Sequence, residues 1–313
     1  MEYTAPINKV SSKKKWRIRL FVMVMLAYPV AHFAVFWLFV NFSSIWISMQ
    51  GMNQLGDRFF DGFRNYINVI SDIRTDVVTQ NIIFNSFLFF PVTVLITIPL
   101  SLLFSYFLFK KMPAANVFRV IFFLPSIMPI VALTFAFRSS FSTDFGPAAS
   151  GAYNLFGIPT DSWLGRPPWT QILVFMYCIW AGLGFNIVLF SGAMGRVPYE
   201  VIESAQLDGI TMRKEFTRIM IPLIWPTVIT LVVLAMTSVL TVFLQPMLLL
   251  GAQGVIRHDA VASTISVTIF QNVSSETSLP YTAALGLTMS LIFAPIIMLV
   301  RFLLSKAWAG VEY

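Results

Sequence analysis

Six long apolar stretches without a single formal charge divide this chain, and they leave it only lipid as a solvent in which to fold. They run from Leu20 to Ile47, Ile82 to Phe109, Val120 to Phe137, Ile172 to Met194, Leu223 to Leu250 and Ala283 to Val300. None contains an Asp, Glu, Lys or Arg. About 20 apolar residues in a helix cross a bilayer core. Charged residues are 11% of the 313, against about 25% in a soluble domain whose surface must be wetted. The expected fold is therefore an all-α membrane protein with six transmembrane helices. One membrane domain over 20–306 is expected, after a basic cytoplasmic segment 1–19 and before a cytoplasmic tail 307–313. The first stretch follows Lys13, Lys14, Lys15, Arg17 and Arg19, as a signal peptide would. Its apolar run is far longer than the h-region of a cleaved signal, so a retained anchor is expected.

Six crossings put both termini on one side, and the positive-inside rule selects it. With the N-terminus in the cytoplasm, fifteen of the 21 Lys and Arg fall inside. Only Arg58, Arg64, Arg74, Arg138, Arg166 and Arg257 fall outside. The net charge of +7 thus marks membrane anchoring and not nucleic-acid binding. Cys178 is the only cysteine, which excludes an internal disulfide and a cysteine-based zinc cage. It is expected to be small packing inside an apolar run. His32 and His258 are far apart and suggest no metal site.

Outside the stretches, Gln50 to Asn81 combines Asp57, Asp61, Asp72 and Asp76 with Phe59, Phe60, Phe63 and Tyr66. Ser139 to Trp169 is rich in Gly, Pro and Trp, which suits turns and an interfacial aromatic belt. Prolines also lie within the stretches, among them Pro91, Pro125, Pro129, Pro226, Pro246 and Pro295. In lipid, helix breaks survive where neighbours or a cavity satisfy the freed carbonyls. A packed bundle with a path through it is one reading, and simple kinked helices are the other.

The cytoplasmic segment 195–222 is more than a connector. Pro198 suits the first turn of a helix, where its missing N–H costs nothing. Glu200 and Glu203 then sit near the positive end of the helix dipole. Gly209 can end that helix in a left-handed conformation. A second short helix would place Met212, Phe216, Ile219 and Met220 on one face. The expected product is a helix–turn–helix whose exposed side fits a groove in a soluble partner.

The same residues carry a resemblance. Glu203-Ser204-Ala205, then Gly209, then Ile219-Met220-Ile221-Pro222 resembles the signature loop of permease subunits of ABC importers, with every spacing kept and Asp208 before the glycine. Ser204 stands for Ala and Ile221 for Leu. Gly62-Phe63-Arg64-Asn65-Tyr66, Phe118 to Pro125, Trp163-Leu164-Gly165 and Trp180 to Asn186 resemble segments of the carbohydrate, or maltose-transporter, class of first permeases. A Gly-Gly-Pro common after the fifth span is replaced here by Gly251-Ala252-Gln253-Gly254.

The resemblance implies a type I importer permease fold in a bacterial inner membrane. It implies a second homologous permease, a dimer of ATP-binding subunits, an external solute-binding protein and a carbohydrate solute. Glu200, Glu203, Ser204, Ala205, Asp208, Gly209, Ile219 and Pro222 would form the loop that couples ATPase closure to the spans. ATP and magnesium would belong to the partner, because this chain has no phosphate-binding loop and no paired catalytic groups. For the solute path, Ser238, Thr241 and Gln245 are spaced to share one helix face, with Thr134 and Asn186 as further polar candidates. Interhelical hydrogen bonding is the competing use of such residues. The loop motif is shared with permeases for amino acids, peptides and polyamines. A secondary transporter or channel would call for intramembrane charges, which the six stretches lack.

Overall fold

The computed structural model describes residues 12–53, 57–142, 146–159, 163–164, 168–256, 263–273 and 278–307. Lys9, Gly165, Arg166, Arg257, His258 and the tail from residue 308 lie outside the described residues. Four helices are long and apolar enough to cross a bilayer: α1 (Lys15–Ser48), α3 (Val77–Phe109), α7 (Trp169–Met194) and α13 (Leu279–Ala307). Two bent pairs raise the number to six if each counts as one span. They are α4 (Ala115–Ile127) with α5 (Ile130–Ser140), and α9 (Met212–Leu223) with α10 (Trp225–Ser238). Shorter elements complete the chain: a hairpin of β1 (Gln50–Met52) and β2 (Arg58–Phe60), α2 (Arg64–Thr75), α6 (Pro147–Phe156), α8 (Tyr199–Leu207), α11 (Leu244–Ile256) and α12 (Ile265–Val273).

Helix runs from Ser12, so Lys13 to Arg19 precede the first apolar stretch on the same helix. Two expectations need correction. The third stretch is not one straight helix. Its halves meet at 105°, with Met128 at ψ 143° and Pro129 at ψ 128°. Pro129 lacks an N–H, and its ring forces the preceding residue out of the helical region. The fifth stretch likewise breaks: α10 stops at Ser238 and α11 starts at Leu244. Pro246 would collide with the Val242 carbonyl if the helix ran through, so the chain turns before it.

Large apolar side chains cover the outside of the molecule as well as fill its core. Leu291 is 79% exposed and Leu95 72%, whereas Ser86, Ser101, Ser105 and Thr134 are completely buried. With lipid as the solvent, burying Leu gains little, and close packing with interhelical hydrogen bonds decides association. Small hydroxyls make that packing between α3 and α7. Ser101 Oγ donates to the Thr97 carbonyl at 2.7 Å, and Ser105 Oγ reaches both the Ser101 carbonyl at 2.7 Å and the Ile187 carbonyl at 3.2 Å.

At the other end, α2 is bound to its neighbours by polar contacts. Asn65 Nδ2 donates to the Ser48 and Gln50 carbonyls at 2.9 and 2.7 Å. The Tyr281 hydroxyl donates to Asp72 Oδ2 at 2.6 Å, joining α2 to α13. Asp76 then caps α3: its carboxylate accepts from Val78 N, Thr79 N and the Thr79 hydroxyl at 3.3, 2.9 and 2.6 Å. The Thr79 hydroxyl is the main cause, its backbone N–H the next, and together they hold the Asp76 carboxyl below its ordinary value. A depressed folded-state pKa means stabilisation that is complete above the unfolded value of about 3.9 and is lost as pH falls through the folded value. Asp76→Ala is expected to cost about 1 kcal/mol. Thermal unfolding in detergent should also show a smaller loss below about pH 4 in the variant than in the parent. An identical acid profile in the two proteins would refute the cap.

Candidate functional site: a helical hairpin and a cavity between the spans

The loop 195–222 folds as a helical hairpin, α8 followed by α9. Pro198 is the N-cap of α8, one position before the expected first turn, with ψ 131°. The end of α8 is closed by two backbone bonds, Gly209 N to the Gln206 carbonyl at 3.0 Å and Ile210 N to the Ala205 carbonyl at 3.1 Å. This pairing is the Schellman motif, and it requires the left-handed residue that Gly209 supplies at φ 73°. The hairpin therefore turns where the glycine stands.

One side of the hairpin packs against the spans. Ile202 and Met220 are buried with Tyr106, Phe190 and Met194 in one apolar cluster. The Phe216 ring lies 4.8 Å from that of Tyr106. The other side is bare: Glu200, Glu203, Ser204, Asp208 and Gly209 are exposed, and so are Tyr199 and Leu207 beside them. Leu207 is 84% exposed. Ala205, Ile219 and Pro222 are half-buried between the two sides. Of the expected inner face, Met220 is buried, Phe216 and Ile219 are half-buried, and Met212 faces outward.

A residue that the pattern did not single out is the most enclosed charge of the hairpin. Glu215 is 2% exposed. Lys110 Nζ lies 2.6 Å from its Oε1 and donates to Oε2 at 2.8 Å. The Tyr106 hydroxyl donates to Oε1 at 3.0 Å. Gln206 Nε2 lies 3.5 Å from Oε2, so both arms of the hairpin meet at this carboxylate. The cause is local winding. Residues Glu215–Met220 are π-helical, and i→i+5 winding brings residues five apart, Glu215 and Met220, to the same side. An α-helical pattern separates those two positions, which is why it missed the carboxylate. The signal available in the sequence was a lone acid within an otherwise basic segment, Arg213-Lys214-Glu215-Phe216-Thr217-Arg218.

Between the spans lies a cavity of about 400 Å³ bordered by α3, α4, α5, α7, α10 and the start of α11. Its wall is built from irregular backbone. Thr93–Thr97 of α3 is π-helical, the α4–α5 break at Met128 borders it, and so do Ser238 and Val242 at the break after α10. Non-helical backbone at membrane depth is tolerated where it borders a cavity. Polar groups at the wall are Thr93, Thr97, Ser126, Asn186, Ser238 and Gln245, with Phe89, Tyr177 and Phe185 among the aromatics.

The five expected path residues separate here. Asn186, Ser238 and Gln245 border the cavity. Ser238 and Gln245 do so from two different helices, not from a shared helical face. Thr241 is exposed in the turn after α10, its hydroxyl 3.3 Å from the Thr237 carbonyl. Thr134 is buried, 2.6 Å from the Ile130 carbonyl and 2.7 Å from the Tyr177 hydroxyl, and so joins α5 to α7. Thr93, Thr97 and Ser126 were missed, because a lone hydroxyl in an apolar stretch carries no address. Cys178 packs beside Tyr177 and also borders the cavity.

Comparison with known proteins agrees with this architecture. Residues 97–307 match the family model described as the binding-protein-dependent transport system inner membrane component. The alpha-glucoside transport system permease protein AglF of Rhizobium meliloti is 27% identical over 215 residues, covering 67% of this chain but 58% of that relative. The chain thus spans little more than half the length of some relatives it matches. The arabinooligosaccharides transport system permease protein AraP of Bacillus subtilis is 22% identical over 97% of this chain and 96% of its own. A crystal structure of a bacterial alginate ABC transporter, in complex with an alginate pentasaccharide-bound periplasmic protein, contains a chain of the same fold. It aligns at a TM-score of 0.79 and 18% identity over 96% of this chain and 99% of that one. Since the family model covers about two thirds of the residues, the chain belongs to the binding-protein-dependent transport system inner membrane component family, the membrane-spanning permeases of ABC importers.

Proposed function

We propose that this chain is a pore-forming permease subunit of an ATP-driven importer that moves a neutral carbohydrate delivered by an external binding protein. The observation that carries the solute class is the wall of the cavity. It offers hydroxyls and amides from Thr93, Thr97, Ser126, Asn186, Ser238 and Gln245 beside aromatic rings, and no charged side chain borders it among the described residues. A volume of about 400 Å³ is within the range of small-molecule sites. An amino acid, a polyamine or an acidic sugar brings a fixed charge that would be left unpaired there, at a cost of several kcal/mol. A neutral sugar brings hydroxyls that such a wall can satisfy. The relatives named for alpha-glucosides and arabinooligosaccharides support the same class.

In this reading a second permease closes the pathway, two ATPase subunits seat the exposed side of α8, and nucleotide and magnesium are held by those subunits. The bacterial inner membrane is the location, with both termini in the cytoplasm as the basic residues of α1 and the hairpin suggest. Reconstituted with its partner permease, ATPase and binding protein, the chain should import neutral oligosaccharides on ATP addition, with no competition from uronate oligomers or polyamines. Gln245→Ala should remove about 1 kcal/mol of solute binding, raising the transport KM about fivefold with little change in thermal stability. Import of a charged solute in preference to sugars would overturn the assignment, and a change confined to stability would place Gln245 in packing.

A further inference from the structure

We propose that Glu215, Lys110 and Tyr106 form the joint through which the cytoplasmic hairpin moves the cavity wall. This rests on the importer reading and adds to it the route by which motion leaves the docking surface. The hairpin meets α3 through one polar cluster. Both arms reach it, α8 through Gln206 and α9 through Glu215, and α3 answers with Tyr106 and Lys110. Tyr106 and Lys110 are four residues apart and so share a face of α3. The Tyr106 hydroxyl also lies 3.2 Å from the Met212 carbonyl, which ties the first turn of α9 to the same point.

The location of this cluster speaks for positioning over mere adhesion. Around it Ile202, Met220 and Phe216 already supply an apolar contact. A buried ion pair within such a contact is weak support for stability, because desolvation offsets the attraction. What it adds is direction. An apolar contact tolerates sliding and rotation, while Lys110 within 2.8 Å of both carboxylate oxygens holds the hairpin in one register on α3.

From the joint the path to the cavity is a single helix face. Tyr106, Leu102 and Ile98 repeat every four residues and are all buried in the cluster that holds Ile202 and Met220. Ile98 borders the cavity, and the π-helical turn Thr93–Thr97 begins beside it, with Thr93 and Thr97 on the wall. The segment from 98 to 109 is a continuous α-helix, stiff enough to carry a displacement along its length. The π-turn is where that helix meets a wider, less regular winding that can yield. A displacement of α8 by its partner is thus passed through Glu215 to Lys110 and Tyr106, along the helix, and into the wall formed by Thr93 and Thr97.

The test uses the complete importer in liposomes and compares solute moved per ATP hydrolysed. Lys110→Met or Glu215→Gln alone leaves one partner without the other, and either can fail to fold. The decisive variant is therefore the double Lys110→Met, Glu215→Gln, which keeps volume and leaves no unpaired charge. It is expected to assemble with the ATPase and to hydrolyse ATP, while solute moved per ATP falls at least tenfold. The swap Lys110→Glu, Glu215→Lys should recover part of that ratio. An unchanged ratio in the double variant would remove the joint and leave the importer standing. Loss of assembly in the double variant would also overturn the joint, by showing a structural support. A wild-type complex that neither hydrolyses ATP in response to loaded binding protein nor moves solute would remove the importer reading and the joint with it.

Discussion

Gly184→Leu is expected to yield little folded protein, and what remains should have lost most of its thermal stability in detergent. Gly184 lies on α7 where it crosses α4. A Cβ at that position would fall 2.5 Å from the Phe122 carbonyl oxygen, 2.8 Å from Ser126 Oγ and 3.2 Å from the Phe123 Cα. Two of those atoms are backbone, so no side-chain rotation relieves the clash; the helices must separate. In lipid that separation is serious, because close approach is the source of helix association. Overpacking alone costs about 1–3 kcal/mol, and a shift of the backbone adds to it. Gly192 on the same helix is the control. A Cβ there meets nothing within 4 Å, so Gly192→Ala should be neutral or gain up to about 1 kcal/mol from helix propensity. The two variants compared by size-exclusion after heating decide the matter. Equal stability would mean that α4 and α7 do not cross at Gly184.

The second large effect is expected at the hairpin, and it should appear mainly in transport. Gly209 has φ 73° and open space around its missing side chain. A Cβ there meets nothing within 4 Å, so the cost within this chain is mainly conformational, about 1–2 kcal/mol for an L-residue in the left-handed region and more for a β-branched one. Transport should therefore rank Gly209 above Asn, Asn above Ala, and Ala above Val, since Asn is the best substitute in this position. Glu203→Ala is the companion variant. Glu203 is exposed on the bare side of α8, and its removal has little reason to disturb the spans. Its solute-stimulated ATP hydrolysis should fall about tenfold, the equivalent of 1.4 kcal/mol, about what a charged hydrogen bond to a partner supplies. A Gly209→Val protein that transports normally, together with normal stimulated hydrolysis in Glu203→Ala, would show that this surface does not seat the ATPase.

The hairpin was readable because its signals are local. Pro198, Gly209 and Pro222 act on the backbone of their own neighbours, and the two capping bonds at Gly209 close within six residues. Glu215 was not readable for the opposite reason. Its partner Lys110 is 105 residues away, and a π-turn changes which residues share a side of the helix. The same contrast holds in the spans. The spacing of Ser238, Thr241 and Gln245 describes one face only if the helix continues, and Pro246 stops it.

From its sequence alone this chain is read as a lipid-solvated helical protein with several crossings and a helical hairpin turned at Gly209. Each follows from run length, charge placement or backbone chemistry within a few residues, so no tertiary contact is needed to infer it. Tertiary structure decided which polar residues face the cavity, sending Thr134 to Tyr177 while Asn186 and Gln245 reach the wall. It also decided where the hairpin is held. In a bilayer an apolar residue on any helix face is equally well solvated, so the pattern of apolar residues does not mark the inside. Only the packing of one helix on another, through Gly184, Ser105 and the Glu215 carboxylate, settles which face turns inward.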